Sequence, residues 1–264
     1  MCKLLRLFSL LLLLLSSHLA NGQILNIEKF RLDTDSSNVW MGNLNLGFTS
    51  KKQNTTVTTI NSTVNLVYLS TKHSYLTIGR VNFIFVEDSK LISEGYGHVR
   101  ANLWRKKTLS HEPFFQYQFD IGRGLHKRLL YGFTFRVQLK AHDKYTLGLN
   151  SGVMYEEELW RGEVIRKSFL IEEGIAETKF LKNTTSLSLR ATLSPQVSLF
   201  LTTYYQARFE DFFRPRVISD ISLMLKISNR FAFTNTFVSN FDAAPILAEN
   251  EFVYTFNSTF TIKF

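Results

Sequence analysis

The side chains with chemistry to offer are mostly charged, and they recur at alternate positions. One such row collects Arg80, Arg100, Arg128, Arg136, Lys140, Arg190, Arg208, Lys226 and Lys263. Glu94, Asp120, Glu156, Glu158, Glu210 and Asp220 fall on the same row. Nine basic groups against six acidic ones leave it basic. Such a wall can line a passage that prefers anions, because rings of Arg or Lys favour negative solutes. It can equally pair across neighbouring strands and fill a narrow interior. The lining candidates are Arg80, His98, Arg100, Gln116, Arg128, Arg136, Glu156, Arg190, Arg208 and Asp220. His98 has Glu94 one pleat pair away, a spacing that suits an acid–base couple. Nucleophilic catalysis also needs a nucleophile and an orienting group within hydrogen-bond reach, and no spacing predicts that set. The reading is therefore not an enzyme. The single cysteine, Cys2, precedes the apolar leader, and no histidines pair at ligand spacing. Neither a metal nor another cofactor is expected. Sequons at Asn54, Asn61, Asn183 and Asn257 read as ordinary strand residues.

The elements that must position these residues are strands. From Leu129, every second residue is apolar: Leu129, Tyr131, Phe133, Phe135, Val137, Leu139. The other row holds Arg128, Thr134, Arg136 and Gln138. A polar break follows, and the alternation resumes through Tyr145, Leu147, Leu149, Val153 and Tyr155. About twelve such segments lie near 38–50, 54–70, 73–86, 91–105, 113–122, 125–140, 144–157, 183–194, 196–210, 215–228, 230–241 and 250–264. Many are longer than the roughly 5–6 residues usual in soluble strands. They suit the ~9–11 residues a tilted membrane strand requires. Even-numbered connections read as tight, with the one around Lys106–Glu112 somewhat longer. Odd-numbered ones read as longer, including Glu87–Lys90, Asp211–Arg214, Asp242–Glu249 and, longest, Glu158–Lys182. Short turns at one end and longer loops at the other are the habit of outer-membrane barrels. The loop Glu158–Lys182 reads as strand extension, "VIRKSFLI" against "AETKFLK", or as a cover folded over the interior.

The first residues, "MCKLLRLFSLLLLLLSSHLANGQ", have a basic start at Lys3 and Arg6, an apolar core Leu7–Leu15 and small residues at Ala20-Asn21-Gly22. That is the grammar of a cleaved secretory signal over 1–22, leaving one domain at 23–264. After it no apolar run is long enough for a membrane helix. A membrane-spanning chain would then have to use strands, since only helices and closed barrels satisfy their backbone groups in lipid. The net charge of +9 comes with no basic stripe, so no nucleic-acid partner is expected. In the last segment Phe252, Tyr254, Phe256, Phe260, Ile262 and Phe264 form one row. Phe260, Ile262 and Phe264 read as the assembly signal of a closing strand, with the outer-membrane assembly machinery and lipid as partners.

Two stretches carry a resemblance. "LNIEKFRLDTD" at Leu25–Asp35 and "EPFFQYQFDIGRGLHKRLLYGFTFRVQL" at Glu112–Leu139 resemble the domain of unknown function 481 family, which includes YdiY-like salt-induced outer membrane proteins. Phe115, Gln116, Tyr117, Gly124, Leu125, Arg128, Leu130, Gly132 and Arg136 carry the match, with "GVMYEEE" at Gly152–Glu158. The resemblance implies an outer-membrane barrel and no established activity. The expectation is an all-β, transmembrane antiparallel up-and-down β-barrel of about 12 strands in a bacterial outer membrane, either a structural protein or a narrow pore. A barrel-embedded hydrolase and a secreted soluble β-sandwich binding module are the alternatives.

Overall fold

A computed structural model of the chain describes residues 36–262, apart from 88, 143, 163–164, 173 and 248–250. The leader, Leu25–Asp35, Lys263 and Phe264 therefore lie outside the described residues. The strands are β1 (Val39–Lys52), β2 (Thr56–Leu69), β3 (Ser74–Val86), β4 (Ser89–Asn102), β5 (Leu109–Asp120), β6 (Leu125–His142) and β7 (Tyr145–Arg161). They continue with β8 (Leu170–Glu172), β9 (Ile175–Ser194), β10 (Val197–Arg208), β11 (Arg216–Lys226), β12 (Phe231–Asp242) and β13 (Phe252–Ile262). All belong to one antiparallel up-and-down sheet in sequence order. Twelve strands form its main path, and the three-residue β8 pairs beside it with β9. The all-β architecture expected from alternation is present.

Cross-strand register decides which residues share a face, because directly paired residues point the same way. Asn43, Asn65, Ile78, His98, Gln116, Leu130, Glu156 and Phe180 form one continuous line from β1 to β9. Thr202 and Asp220 continue the same face through Ser188, and Asn257 reaches it through Ser222 and Thr236. All ten sequence-derived lining candidates lie on this face. The opposite face holds Phe115, Tyr131, Phe135, Leu139, Val153, Leu181 and Leu187, each more than a third exposed.

The sheet is strongly curled. Arg216 of β11 and Glu156 of β7 are separated by three strand spacings, roughly 14 Å in a flat sheet. Their side chains nevertheless meet at 3.3 Å. Beyond the strand ends, Ile165 bridges Leu247, and the Arg166 amide donates to the Ile246 carbonyl at 2.9 Å. The polar face is thus the concave one, and it is the better buried: Arg128, Glu112, Glu156 and Glu158 are each at most 3% exposed. At the two ends of the sheet β1 and β13 are exposed along most of their length. No pairing joins them among the described residues.

Several boundaries differ from the sequence reading. β5 begins at Leu109, which places Glu112 in the strand and not in a connection. β7 runs on to Arg161 and β9 starts at Ile175, so the expected 158–182 loop shrinks to 162–174. The alternation there was hidden because outward positions turn charged: Lys127 pairs with Glu157, and Lys179 with Glu177 at 2.5 Å. The extension reading holds in part, with Leu170 against Ala176. The β3–β4 connection is only 87–88, contrary to its expected length. Long connections are therefore confined to the last three at that end, 162–174, 209–215 and 243–251.

Because β6, β7 and β9 share the longest ladders, backbone amides of 145–161 are expected to outlast those of β1 and β13 in hydrogen exchange. Equal protection across the sheet would contradict this packing order.

Candidate functional site

The most organised chemistry sits inside the curl, towards the end with the long connections. Glu156 on β7 accepts from Arg128 of β6, whose Nε lies 2.8 Å away, from Lys182 of β9, and from Nη1 of Arg216 at 3.3 Å. Two residues on, Glu158 lies 3.0 Å from Arg128 and 3.9 Å from Arg216, and accepts from the Trp160 indole at 2.9 Å. Arg216 Nε donates to Asp242 of β12 at 2.7 Å, and Asp242 also receives the Ala244 amide at 3.0 Å. Three cations and three carboxylates from five strands thus form one network of balanced charge. Arg208 stays at its margin, stacked 3.4 Å from the Phe180 ring centre.

An apolar roof closes over this network. Leu125, Trp160, Ile165, Ala176, Ile246 and Leu247 pack together, with Phe169 against them. The β12–β13 connection supplies Ile246 and Leu247, so this connection folds inward. Between roof and network lies a cavity of about 70 Å³, touching Arg128, Glu158, Arg216, Asn240 and Asp242. That space suits one or two waters, not an organic ligand.

Below the network the interior continues in layers. His98 Nδ1 and Gln116 Oε1 are 3.0 Å apart, and Gln116 donates to Gln118 at 3.4 Å. Glu94 accepts from Asn82 at 3.0 Å instead of meeting His98. The acid–base couple that the sequence suggested is therefore not formed. Lower still, the fully buried Glu112 accepts from Arg100 at 2.9 Å and Asn102 at 2.8 Å. Gly132 leaves no gap in the wall: a Cβ there would stand 2.8 Å from the Phe114 ring. That ring in turn lies 4.6 Å beneath Arg100. Gly148 is covered likewise by the Arg136 guanidinium, 2.6 Å from where its Cβ would be. Small residues on this face seat large ones from the next strand.

Of the sequence-derived candidates, the structure brings together Arg128 with Glu156, and His98 with Gln116. Arg136 lies eight residues from Arg128 on the same strand, over Gly148, and takes no part in the Glu156 network. Asp220 is buried with Ser222 beside it at 3.5 Å, Arg190 stacks 5.6 Å from Phe200, and Arg80 is exposed. Glu94 and Asp120 share the row with the arginines, which the filled-interior reading would pair with them. Asp120 caps the turn at Ile121–Arg123 instead, accepting the Arg123 amide at 3.3 Å. Lys182, Arg216 and Asp242 were missed as members of the network, and Glu112 as the partner of Arg100. The signal was present in the parity: Lys182 continues the row of Thr184 and Ser186, and Asp242 that of Asn240. Among the described residues no group of three or more metal-ligating side chains converges. Every carboxylate of the network already faces an arginine or lysine.

Glu156 neutralises three buried cations, so Glu156→Gln is expected to cost about 3–5 kcal/mol, the usual penalty for breaking a buried pair from one side. Urea unfolding of the purified chain would read this. The exposed Lys179–Glu177 pair is the control, and Glu177→Gln should leave the transition where it was.

No curated protein and no solved structure was found to match this chain. One family model does match, that described as protein of unknown function, DUF481, over residues 44–264. With its single meandering sheet and buried polar face, the chain belongs to the DUF481 family.

Proposed function

We propose that the mature chain is an outer-membrane β-barrel with a side-chain-filled interior, a structural protein and not an open pore. The carrying observation is the inversion of its two faces. The concave face buries Arg128, Glu156, Glu158, Lys182 and Asp220, while the convex face exposes Tyr131, Phe135, Val153, Leu181 and Leu187. In water that arrangement would place large apolar area in solvent and desolvate charges without need. In a bilayer it suits both solvents.

The dimensions agree. Tyr145 and Tyr155 stand on the outward row of β7, ten residues apart, roughly 34 Å along the strand. At a tilt near 40° that spans about 26 Å of membrane normal, close to the ~25 Å apolar band of such barrels. Trp40, Tyr68 and Tyr75 cluster near the tight-turn end, with ring centres 4.7 and 6.2 Å apart. Tyr131 and Tyr155, 5.1 Å apart, stand towards the other end. Beyond them the outward row becomes charged at Lys127, Glu157, Glu177 and Lys179, as strand ends emerging into water require. A secreted sandwich has no use for such a band.

The filled interior is supported by the roof, by the Glu156 network and by the rings over Gly132. The expected basic surplus is absent from this network, which weakens the anion-pore reading. On this view β1 and β13 meet at a seam, which removes two open edges. The outward Phe260 and Ile262, 55% and 47% exposed, belong to a closing strand recognised by the barrel assembly machinery, and an N-terminal signal over 1–22 directs export.

Phe256→Arg on the outward row is expected to lower the assembled amount sharply, since a cation at the midplane costs about 2–4 kcal/mol. Thr255→Arg faces inward and should assemble better. The readout is the heat-dependent mobility of the membrane fraction on a gel. In a planar bilayer the assembled protein should show little or no steady conductance, and a large ohmic conductance would refute the filled interior.

A further inference from the structure

We propose that the foot of β4 and β5 is a binding site for the headgroup of an anionic phospholipid, a reading that rests on the membrane-spanning barrel above. The connection 103–108 is the longest at the tight-turn end, and it is firmly built. Leu103 and His111 exchange backbone hydrogen bonds of 2.8 and 3.2 Å. The Arg105 amide donates to the Lys72 carbonyl at 2.9 Å, and its guanidinium reaches the carbonyls of Ser70 at 3.2 Å and Ser36 at 2.6 Å. The Trp104 amide donates to His73 Nδ1 at 3.1 Å. Trp104 is held at φ 59, a left-handed conformation rare for a bulky residue, and such strain persists only where the surroundings impose it. Two turns are thereby welded into one platform that aims an indole outward.

The platform has two chemistries in one concavity. Trp104, 41% exposed, packs edge-on against His111 at 5.0 Å, and His111 against Phe135 at 5.1 Å. Leu109 stands beside them, 46% exposed. These side chains continue the apolar outward row down to the turn. Below them are the exposed ammonium groups of Lys106 and Lys107 and the Thr108 hydroxyl. Trp104, Lys106, Lys107, Thr108, Leu109 and His111 border a broad, solvent-open hollow of about 650 Å³.

A ligand that satisfies both halves has a hydrocarbon chain for Leu109 and Phe135 and a negative group for the lysines. A phosphodiester lipid has this form: its chain lies along the strand, and its phosphate sits at the depth where indoles gather. The setting favours negative charge. The tight connections carry Lys72, Arg105, Lys106, Lys107, Lys144 and Arg230 against one acid, Asp143. The opposite connections mix Glu87, Glu210, Asp211 and Glu251 with Arg123, Arg166 and Arg214. A free anion would make no use of Trp104 and Leu109, and a zwitterionic lipid brings no net charge to this cationic end.

The test is native mass spectrometry of the full mature chain, folded in detergent and offered equal amounts of phosphatidylglycerol and phosphatidylcholine. The expected result is one retained lipid, with about fivefold preference for phosphatidylglycerol, the worth of one cation near an anionic headgroup. Lys106→Gln with Lys107→Gln should abolish the preference. Lys51→Gln with Lys52→Gln, at the opposite end of the barrel, should leave it intact. Equal retention of both lipids by the unaltered, heat-shifting chain would overturn the site while leaving the barrel standing. So would equal loss in the two variants, since the attraction would then be diffuse. Displacement by inorganic phosphate at constant ionic strength would also overturn it, because the ligand would be a free anion. A chain that shows no heat-dependent mobility fails at the earlier step, and this proposal fails with it.

Discussion

The interior of this protein is organised around one carboxylate. Glu156 is almost fully buried, and it takes cations from β6, β9 and β11 at once. A lone ionised carboxylate in that position would be untenable, because desolvation costs several kcal/mol per ion. Only converging partners make it tolerable, and convergence requires curvature. The ion network and the coiling of the sheet are thus one constraint seen from two sides. A flatter sheet would strand Arg216 far from Glu156, and each unpaired charge would weigh against the fold.

This arrangement explains the composition of the concave face. Long cationic side chains can cross an interior and meet the opposite wall, whereas serine and threonine cannot. The face therefore alternates between small residues and reaching ones. Gly132 seats Phe114, Gly148 seats Arg136, and Ser222 meets Thr236 at 3.0 Å. The result is a well-buried polar concave face, covered at one end by the inward-folded 243–247 segment.

The two ends of the curled sheet differ in kind. At one end, strand ends β6, β7 and β9 project with charged outward residues and support an apolar roof. At the other, connections are mostly short and carry cations. The connection 103–108 departs from that shortness, and there the chain fixes a tryptophan in a strained conformation among lysines. A strained, exposed aromatic with a built support is a feature of recognition more than of folding.

The alternation by itself determined a great deal. A period of two over long segments sorts residues onto two faces without any knowledge of partners, so the antiparallel sheet, about twelve strands and all ten facing assignments were legible. The aromatic residues near segment ends were legible as outward-facing for the same reason. Other features depended on the register between neighbouring strands and on which strands the curl brings together, and periodicity is silent about both. It could not say that Arg128 would meet Glu156 and Glu158, or that His98 would choose Gln116 over Glu94. Nor could it anticipate Arg216 reaching across three strand spacings, or Phe114 occupying the space over Gly132. Charged outward positions at Glu177 and Lys179 masked the start of β9, because a strand leaving the apolar band loses the contrast on which alternation is read. Local pattern fixed the face of each residue, and strand register together with curvature decided its partner.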